Sequence, residues 1–90
     1  MKIEFDAIKR NQTLFHRGLD FEDCQHAFEG VTYTFEDMRK GYGETRFITW
    51  ALMDSRLVVI VWTPRGAARR IISLRKANER EIHTFNQALD

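Results

Sequence analysis

The run at residues 57–63 is the feature that most constrains the fold, because its first six residues are all apolar. β-branched and aromatic side chains favour strands, and apolar residues on both alternating faces predict a central strand covered on both sides. Asp54-Ser55-Arg56 precedes the run and Pro64-Arg65-Gly66 follows it, and both are typical of tight turns. The flanking strands predicted at 46–53 and 68–74 are therefore antiparallel neighbours, since parallel strands need a longer crossover.

Shorter signals predict the rest of the chain. Gly18 ends a first helix at 7–17, in which Ala7, Ile8, Leu14 and Phe15 lie near helical spacing and give it a core face. Asp20 caps a second helix, and Asn78 to Glu81 has the spacing of a capping box for a last one. Further strands are expected at 3–5 and 31–35, and the buried stripe of the second helix is expected to be Phe21, Cys24, Ala27 and Phe28.

Together these elements predict one α+β domain over residues 1–90. Two N-terminal helices and one C-terminal helix would accompany an antiparallel sheet, with helices packed on one face. Leu57, Val59 and Val61 would point one way from the central strand. Val58, Ile60 and Trp62 would point the other way. Either the last helix closes the face of Val58, Ile60 and Trp62, or that face stays open for a partner.

The charge of the chain is unevenly distributed. The net charge is +1, but residues 1–45 carry −3, residues 46–80 carry +6 and residues 81–90 carry −2. Such asymmetry is compatible with nucleic acid as a partner, although basic residues also commonly line a solvated sheet face. One cysteine excludes an intrachain disulfide, and neither a signal peptide nor a membrane span is recognised, which suits a reducing cytoplasm.

The basic segment 69–81 is the best candidate for chemistry. Strict alternation would place Arg70 beside Ile72 and Leu74, and Arg69 on the side of Arg75. Arginine forks and a helix N-terminus suit phosphate binding, and cleavage of RNA by its own 2′-hydroxyl needs a base, an acid and cations but no metal. The candidates are Arg70, Arg75 and Lys76 for the phosphate, with Arg46, Arg65 and Arg69 in support, and Glu79, His83 or His16 for proton transfer.

The same residues also have purely structural interpretations. Arg75 and Glu79, at i and i+4, could form an ordinary helix-surface ion pair. His16, His26 and His83 are scattered without metal-ligand spacing, so no metal site is predicted. Cys24 is expected in the core.

Several segments resemble the BrnT family, small ribonuclease toxins of bacterial type II toxin–antitoxin systems with a RelE-like fold. They are Phe5-Asp6, the segment Gly18-Leu19-Asp20-Phe21-Glu22-Asp23, Arg46-Phe47, Thr63-Pro64-Arg65-Gly66, and Arg70 to Ala77 followed by Glu81 and Phe85. Two positions depart from the family pattern. Arg17 stands where a histidine is usual, with His16 one place early, and Trp62 replaces a frequent histidine.

The resemblance implies a cytoplasmic toxin that cleaves RNA and slows translation. No cofactor is predicted. It implies a ribbon-helix-helix antitoxin of the BrnA type as partner, with promoter DNA contacted only through that antitoxin. The expected antitoxin anchors on an open sheet face are Val58, Ile60 and Trp62, or their alternation partners Leu57, Val59 and Val61. Aromatic side chains often dominate interfaces. The competing hypotheses are a non-catalytic module that binds protein or nucleic acid, and a DNA-contacting regulatory subunit.

Overall fold

The computed structural model describes residues 2–39, 41 and 43–89. It has an α+β architecture in which a mixed sheet of five strands carries three helices. The strands are β1 (Lys2–Phe5), β2 (Thr32–Glu36), β3 (Phe47–Met53), β4 (Arg56–Arg65) and β5 (Ala68–Lys76). The helices are α1 (Ala7–Arg17), a short α2 (Cys24–Ala27) entered through a 3-10 turn at Phe21–Asp23, and α3 (Glu79–Leu89).

The sheet has the order β1-β5-β4-β3-β2. Its consecutive strands from β2 to β5 are antiparallel, as the short turns predicted. Asp54 and Ser55, with φ of 51° and 66°, form the two-residue turn between β3 and β4. The expectation of a purely antiparallel sheet is wrong at one edge, where β1 runs parallel to β5. The long connection through the helices and three other strands makes this parallel pairing possible.

One face of the sheet forms the main core. Val58 and Ile60 are fully buried and Trp62 is 9% exposed, and all three belong to the cluster that contains Phe21 and Cys24. Burial raises the pKa of the Cys24 thiol to about 12, as expected of a core cysteine. The expectation that Val58, Ile60 and Trp62 lie on an open face is therefore corrected, because the segment around α2 covers them.

A β-bulge in β5 decides which side chains share a face. Val61 pairs with Ser73 whereas Trp62 pairs with Ile71, so Ile72 is the extra residue. The alternation reverses there. Arg69, Ile71 and Leu74 face the core, and Arg70, Ser73 and Arg75 face the opposite side, which overturns the faces predicted from strict alternation.

Helix α1 contributes no buried residue, so its predicted core face is wrong. Ile8 is 68% and Phe15 84% exposed. The helix is held by polar contacts instead. Arg10 donates to both carboxylate oxygens of Asp20 at 2.8 and 2.7 Å, and Arg17 donates to the Leu74 carbonyl oxygen at 2.8 Å. The register of β1 on β5 ends at Ile71, and α1 continues along β5 beyond that point.

Helix α3 covers one end of the opposite face of the sheet, which carries Leu57, Val59 and Val61 and which we call the second face. The predicted capping box is confirmed, since the Glu81 backbone N–H donates to Asn78 Oδ1 and the Asn78 N–H donates to Glu81 Oε1, each at 2.8 Å. Phe85 is the buried residue of this helix. Leu57 and Val59 are buried at the covered end, whereas Tyr33 and Phe35 are 50% and 38% exposed elsewhere on the face. Helix α3 thus closes one end of this face, and the rest of the face is open to solvent.

Candidate functional site

A cleft of about 600 Å³ lies on the second face, between the open part of the sheet and the start of α3. Its floor is apolar and its rim is charged. The floor comes from Phe35, Ile48, Trp50, Val59 and Val61, and the rim includes Asp37, Arg39, Ser73, Arg75 and Glu81.

Arg75 lies on one side of the cleft and is held by Glu81. Its two terminal nitrogens donate to the two carboxylate oxygens of Glu81 at 2.9 and 2.8 Å. This hydrogen bonding lowers the pKa of Glu81 and raises that of Arg75. Because Glu81 also caps α3, the strand end and the helix start are fixed relative to each other. A bidentate pair of this kind sets the direction of the guanidinium as well as its charge.

Arg39 is held in the same way by Asp37. The Asp37 carboxylate accepts from Arg39 Nε and a terminal nitrogen at 2.9 and 2.7 Å, and its side chain is only 2% exposed. The Asp37 backbone N–H donates to the Arg46 carbonyl oxygen at 2.8 Å, which ties this loop to the start of β3. Hydrogen bonding to Arg39 lowers the pKa of Asp37. A buried, ionised carboxylate therefore orients an arginine whose side chain is 68% exposed.

The two arginines are close enough to act on each other. The charge of Arg39 lowers the pKa of Arg75, in opposition to the stronger effect of Glu81. Both arginines line one cleft, and each of these like charges is kept in place by its own carboxylate, Asp37 for Arg39 and Glu81 for Arg75. An anion between them would relieve this repulsion and meet oriented donors. The arrangement can bind a phosphate group and stabilise charge that develops on it.

Aromatic rings continue from the cleft floor toward the sheet edge. The ring centroids of Phe35 and Trp50 are 5.5 Å apart, and Tyr33 lies 6.2 Å from Phe35 and 6.0 Å from Trp50. Among the described residues, the buried indole nitrogen of Trp50 has no hydrogen-bond acceptor. We call Tyr33, Phe35 and Trp50 the aromatic shelf.

A second groove, of about 400 Å³, runs between α1 and β5. Its lining includes Lys9, His16, Arg17 and Ser73. Ser73 also lines the main cleft, so the two concave surfaces meet at this residue. Ser73 and Arg75 are two positions apart and share one face of β5, which brings His16 and the cleft to the same part of this strand.

A family model described as the ribonuclease toxin BrnT of a type II toxin–antitoxin system matches residues 5–81. The chain belongs to the BrnT family. The match begins in β1 and ends at Glu81, so it includes both arginine–carboxylate pairs and the aromatic shelf. No curated protein matches the chain.

This BrnT chain gathers only part of the residue set that its sequence predicted. Arg75 lines the cleft and His16 lines the adjoining groove. Lys76, Glu79 and His83 are exposed and are not among the residues described as lining either surface. Arg75 pairs with Glu81 and not with Glu79, the alternative raised from the sequence, because the strand end approaches the helix across its first turn.

The remaining predicted arginines of the BrnT chain are not among the residues that line the cleft. Arg70 shares the cleft face but pairs with Glu4 of β1 at 3.5 Å. The guanidinium of Arg69 lies over the rings of Phe28 and Trp62, 4.3 and 4.7 Å from their centroids, on the core side. Burial there lowers the pKa of Arg69. Arg46 and Arg65 both lie near Glu44, at 3.4 and 3.7 Å.

Sequence reasoning missed most of the BrnT cleft. Asp37 and Arg39 lie between the strands predicted at 31–35 and 46–53, and nothing local in that stretch indicates that the carboxylate is buried. Trp50 and Ser73 carry no signal beyond their strand positions. The sequence identified Glu81 as part of a helix cap, but the pairing of Glu81 with Arg75 depends on where β5 ends.

No described group of three or more His, Cys, Asp or Glu side chains could hold a metal ion. Within the described ranges, no helix is long and apolar enough to span a membrane.

Proposed function

We propose that this chain is an endoribonuclease toxin that binds an RNA phosphate between Arg39 and Arg75. The observation that carries the proposal is the pair of carboxylate-oriented arginines facing one cleft, in a chain that matches the ribonuclease toxin family over residues 5–81. Two guanidinium groups supply donors to the non-bridging oxygens, and those contacts strengthen as negative charge grows in the transition state. A second basic groove beside the cleft would hold the neighbouring backbone.

The reaction we propose uses the 2′-hydroxyl of the RNA as the nucleophile. A base removes its proton, the oxygen attacks phosphorus, and the bond to the 5′-oxygen breaks as that oxygen gains a proton. The products are a 2′,3′-cyclic phosphate and a 5′-hydroxyl. His16 is the best-placed of the predicted proton-transfer residues, since it lines the groove that joins the cleft at Ser73. Glu81, whose pKa is lowered by Arg75, serves better to orient that arginine than to accept a proton.

The decisive experiment is an RNA cleavage assay with purified protein in the presence of EDTA. Cleavage that survives chelation and leaves cyclic phosphate ends supports the proposed chemistry. Arg39→Ala and Arg75→Ala should each reduce the rate by roughly 10²-fold or more, as loss of a transition-state donor does. Arg80→Ala is the matched control, because Arg80 is exposed beside Glu81 but is not among the cleft-lining residues. Activity that depends on an added divalent ion would show that the metal-independent mechanism is wrong.

The non-catalytic alternative makes a different prediction in the same assay. A module that only binds nucleic acid would retain RNA through Arg39 and Arg75 without cutting it. Wild-type protein that binds RNA but yields no new ends over long incubation would favour this function.

Neutralisation by a ribbon-helix-helix antitoxin of the BrnA type is part of the proposal. The exposed apolar side chains on the second face, rather than Val58, Ile60 and Trp62, are the surface that such a protein would cover. Covering it would also close the cleft to RNA. Binding of the toxin to promoter DNA should then require the antitoxin, which a mobility-shift assay with each protein alone and with both together would test.

A further inference from the structure

The aromatic shelf is the largest feature of the cleft that phosphate binding leaves unexplained. Tyr33 is 50% exposed and Phe35 38% exposed, although both lie on a sheet face where apolar side chains are usually buried. Their two rings pack edge-on against each other, Phe35 packs edge-on against Trp50, and the Tyr33 ring lies tilted by 31° to that of Trp50, so these contacts fix their orientation. Rigid, partly exposed rings form a surface on which another flat ring can stack at little entropic cost.

The shelf and the arginines belong to one continuous surface. Phe35 and Trp50 line the same cleft as Arg39 and Arg75. Sites that bind single-stranded nucleic acid combine cations for the backbone with aromatic rings for the bases. In a duplex the bases are stacked on each other and are not available to such rings.

We propose that the aromatic shelf is a nucleobase-stacking site, which restricts the substrate to single-stranded or locally unpaired RNA. The inference rests on the proposed function, because that function identifies the anion between the arginines as an RNA phosphate. A base next to that phosphate stacks on the exposed rings of Tyr33 and Phe35. The stacking holds the chain so that the phosphate reaches both guanidinium groups.

Binding can be measured without cleavage by using 2′-O-methyl RNA, which has no free 2′-hydroxyl. The probe is a labelled single strand of roughly ten nucleotides, within the range such proteins cover, and the comparison is the same strand in a duplex. The single strand should bind more tightly than the duplex. Stacking on the shelf should also quench the tryptophan fluorescence of the wild type, and this quenching should be lost in Trp50→Phe.

Substitutions on the shelf test the stacking directly. Tyr33→Ala and Phe35→Ala should each weaken binding of the single strand by roughly 5- to 150-fold, the range found when one stacked base loses its aromatic partner. Leu52→Ala is the matched control, because Leu52 is 42% exposed on the same face of β3 but is not among the cleft-lining residues. Tyr33→Phe keeps the ring and should bind like the wild type.

The outcomes separate this inference from the proposed function. Wild-type protein that neither binds nor cuts RNA would overturn both. RNA cleavage by the wild type that is unchanged in Tyr33→Ala and Phe35→Ala would overturn the stacking site alone. If those variants lose only the antitoxin, the shelf is a protein-binding surface and the inference is wrong.

Discussion

Glu81 shows how one carboxylate can serve both a helix and a binding site. It caps α3 through the backbone of Asn78 and fixes Arg75 through both of its oxygens. Asp37 does for Arg39 only the second of these tasks, from an almost fully buried position. The cleft therefore depends on two acidic residues that, in the proposed function, never touch RNA.

Substitutions of Glu81 should separate its two tasks. Glu81→Gln keeps an oxygen that can cap α3 but loses the charged fork to Arg75, so unfolding free energy should change by about 1 kcal/mol or less. Glu81→Ala loses both contacts and should cost about 1 kcal/mol more. Urea unfolding measures this difference. RNA cleavage should fall in both variants, mainly in kcat, because orientation of Arg75 matters most when charge develops on the phosphate.

Comparable cleavage by Glu81→Gln and the wild type would contradict the positioning role of Glu81. Cleavage that falls only in Glu81→Ala, in step with stability, would mean that Glu81 acts through the helix alone.

The lowered pKa values of Asp37 and Glu81 predict loss of stability in acid. Their ordinary values are 3.8 and 4.5, and hydrogen bonds from Arg39 and Arg75 lower both in the folded state. The unfolded chain binds more protons just below these ordinary values, so stability rises with pH in that window. The stabilisation is fully present above about pH 5 and is lost as the pH falls through the folded-state values.

Urea unfolding of the wild type and Asp37→Asn at several pH values tests this linkage. The variant should be less stable near neutral pH, and the difference should shrink as the pH falls below about 4. A difference that stays constant down to strongly acidic pH would show that the Asp37 charge does not contribute to stability.

Among the elements, β5 determines the site through its bulge. Ile71 and Leu74 are both buried in the main core although they are three positions apart. Only an extra residue between them allows both to face inward while Ser73 and Arg75 face the cleft. A one-residue change of register would otherwise exchange the two faces.

Deleting Ile72 should therefore be tolerated by the core. The deletion removes the bulge and leaves Ile71 and Leu74 two positions apart, so regular alternation keeps both of them facing inward. Ile72→Ala keeps the bulge and should also cost little, because Ile72 is only partly buried. Urea unfolding would measure the stability of both variants. A deletion variant that loses about 2–5 kcal/mol, the cost of one such core side chain, would contradict the assignment of Ile72 as the extra residue.

The elements also show what the sequence could and could not predict. The hairpin turns and the α3 capping box depend on neighbouring residues, and both were predictable. The bulge at Ile72 and the parallel pairing of β1 depend on contacts between distant segments, so alternation alone assigned the wrong faces. The same dependence on distant contacts limited the prediction of the site. Arg75 was predictable from local charge. The place of Arg39 and the orienting role of Asp37 depend on the contact between the loop after β2 and the start of β3.

For the whole molecule, the proposed function predicts toxicity that depends on the cleft. Induction without an antitoxin should slow bacterial growth, and amino-acid incorporation should fall before DNA synthesis does. Arg39→Ala or Arg75→Ala should restore growth at equal soluble protein, whereas Arg80→Ala should remain toxic. Normal growth with abundant folded wild-type protein would contradict the toxin function.

The pairing of β1 with β5 has a consequence for the time at which such a toxin becomes active. The ribosome makes residues 2–5 well before their partners at 68–71. At about 5–20 residues per second, roughly 3 to 13 seconds separate the two. Throughout that interval the emerging chain has an undocked first strand and lacks Arg75. In the proposed function, a chain that has not yet reached β5 therefore cannot hold an RNA phosphate between Arg39 and Arg75. A chain stalled before β5 would leave the ribosome that carries it unharmed.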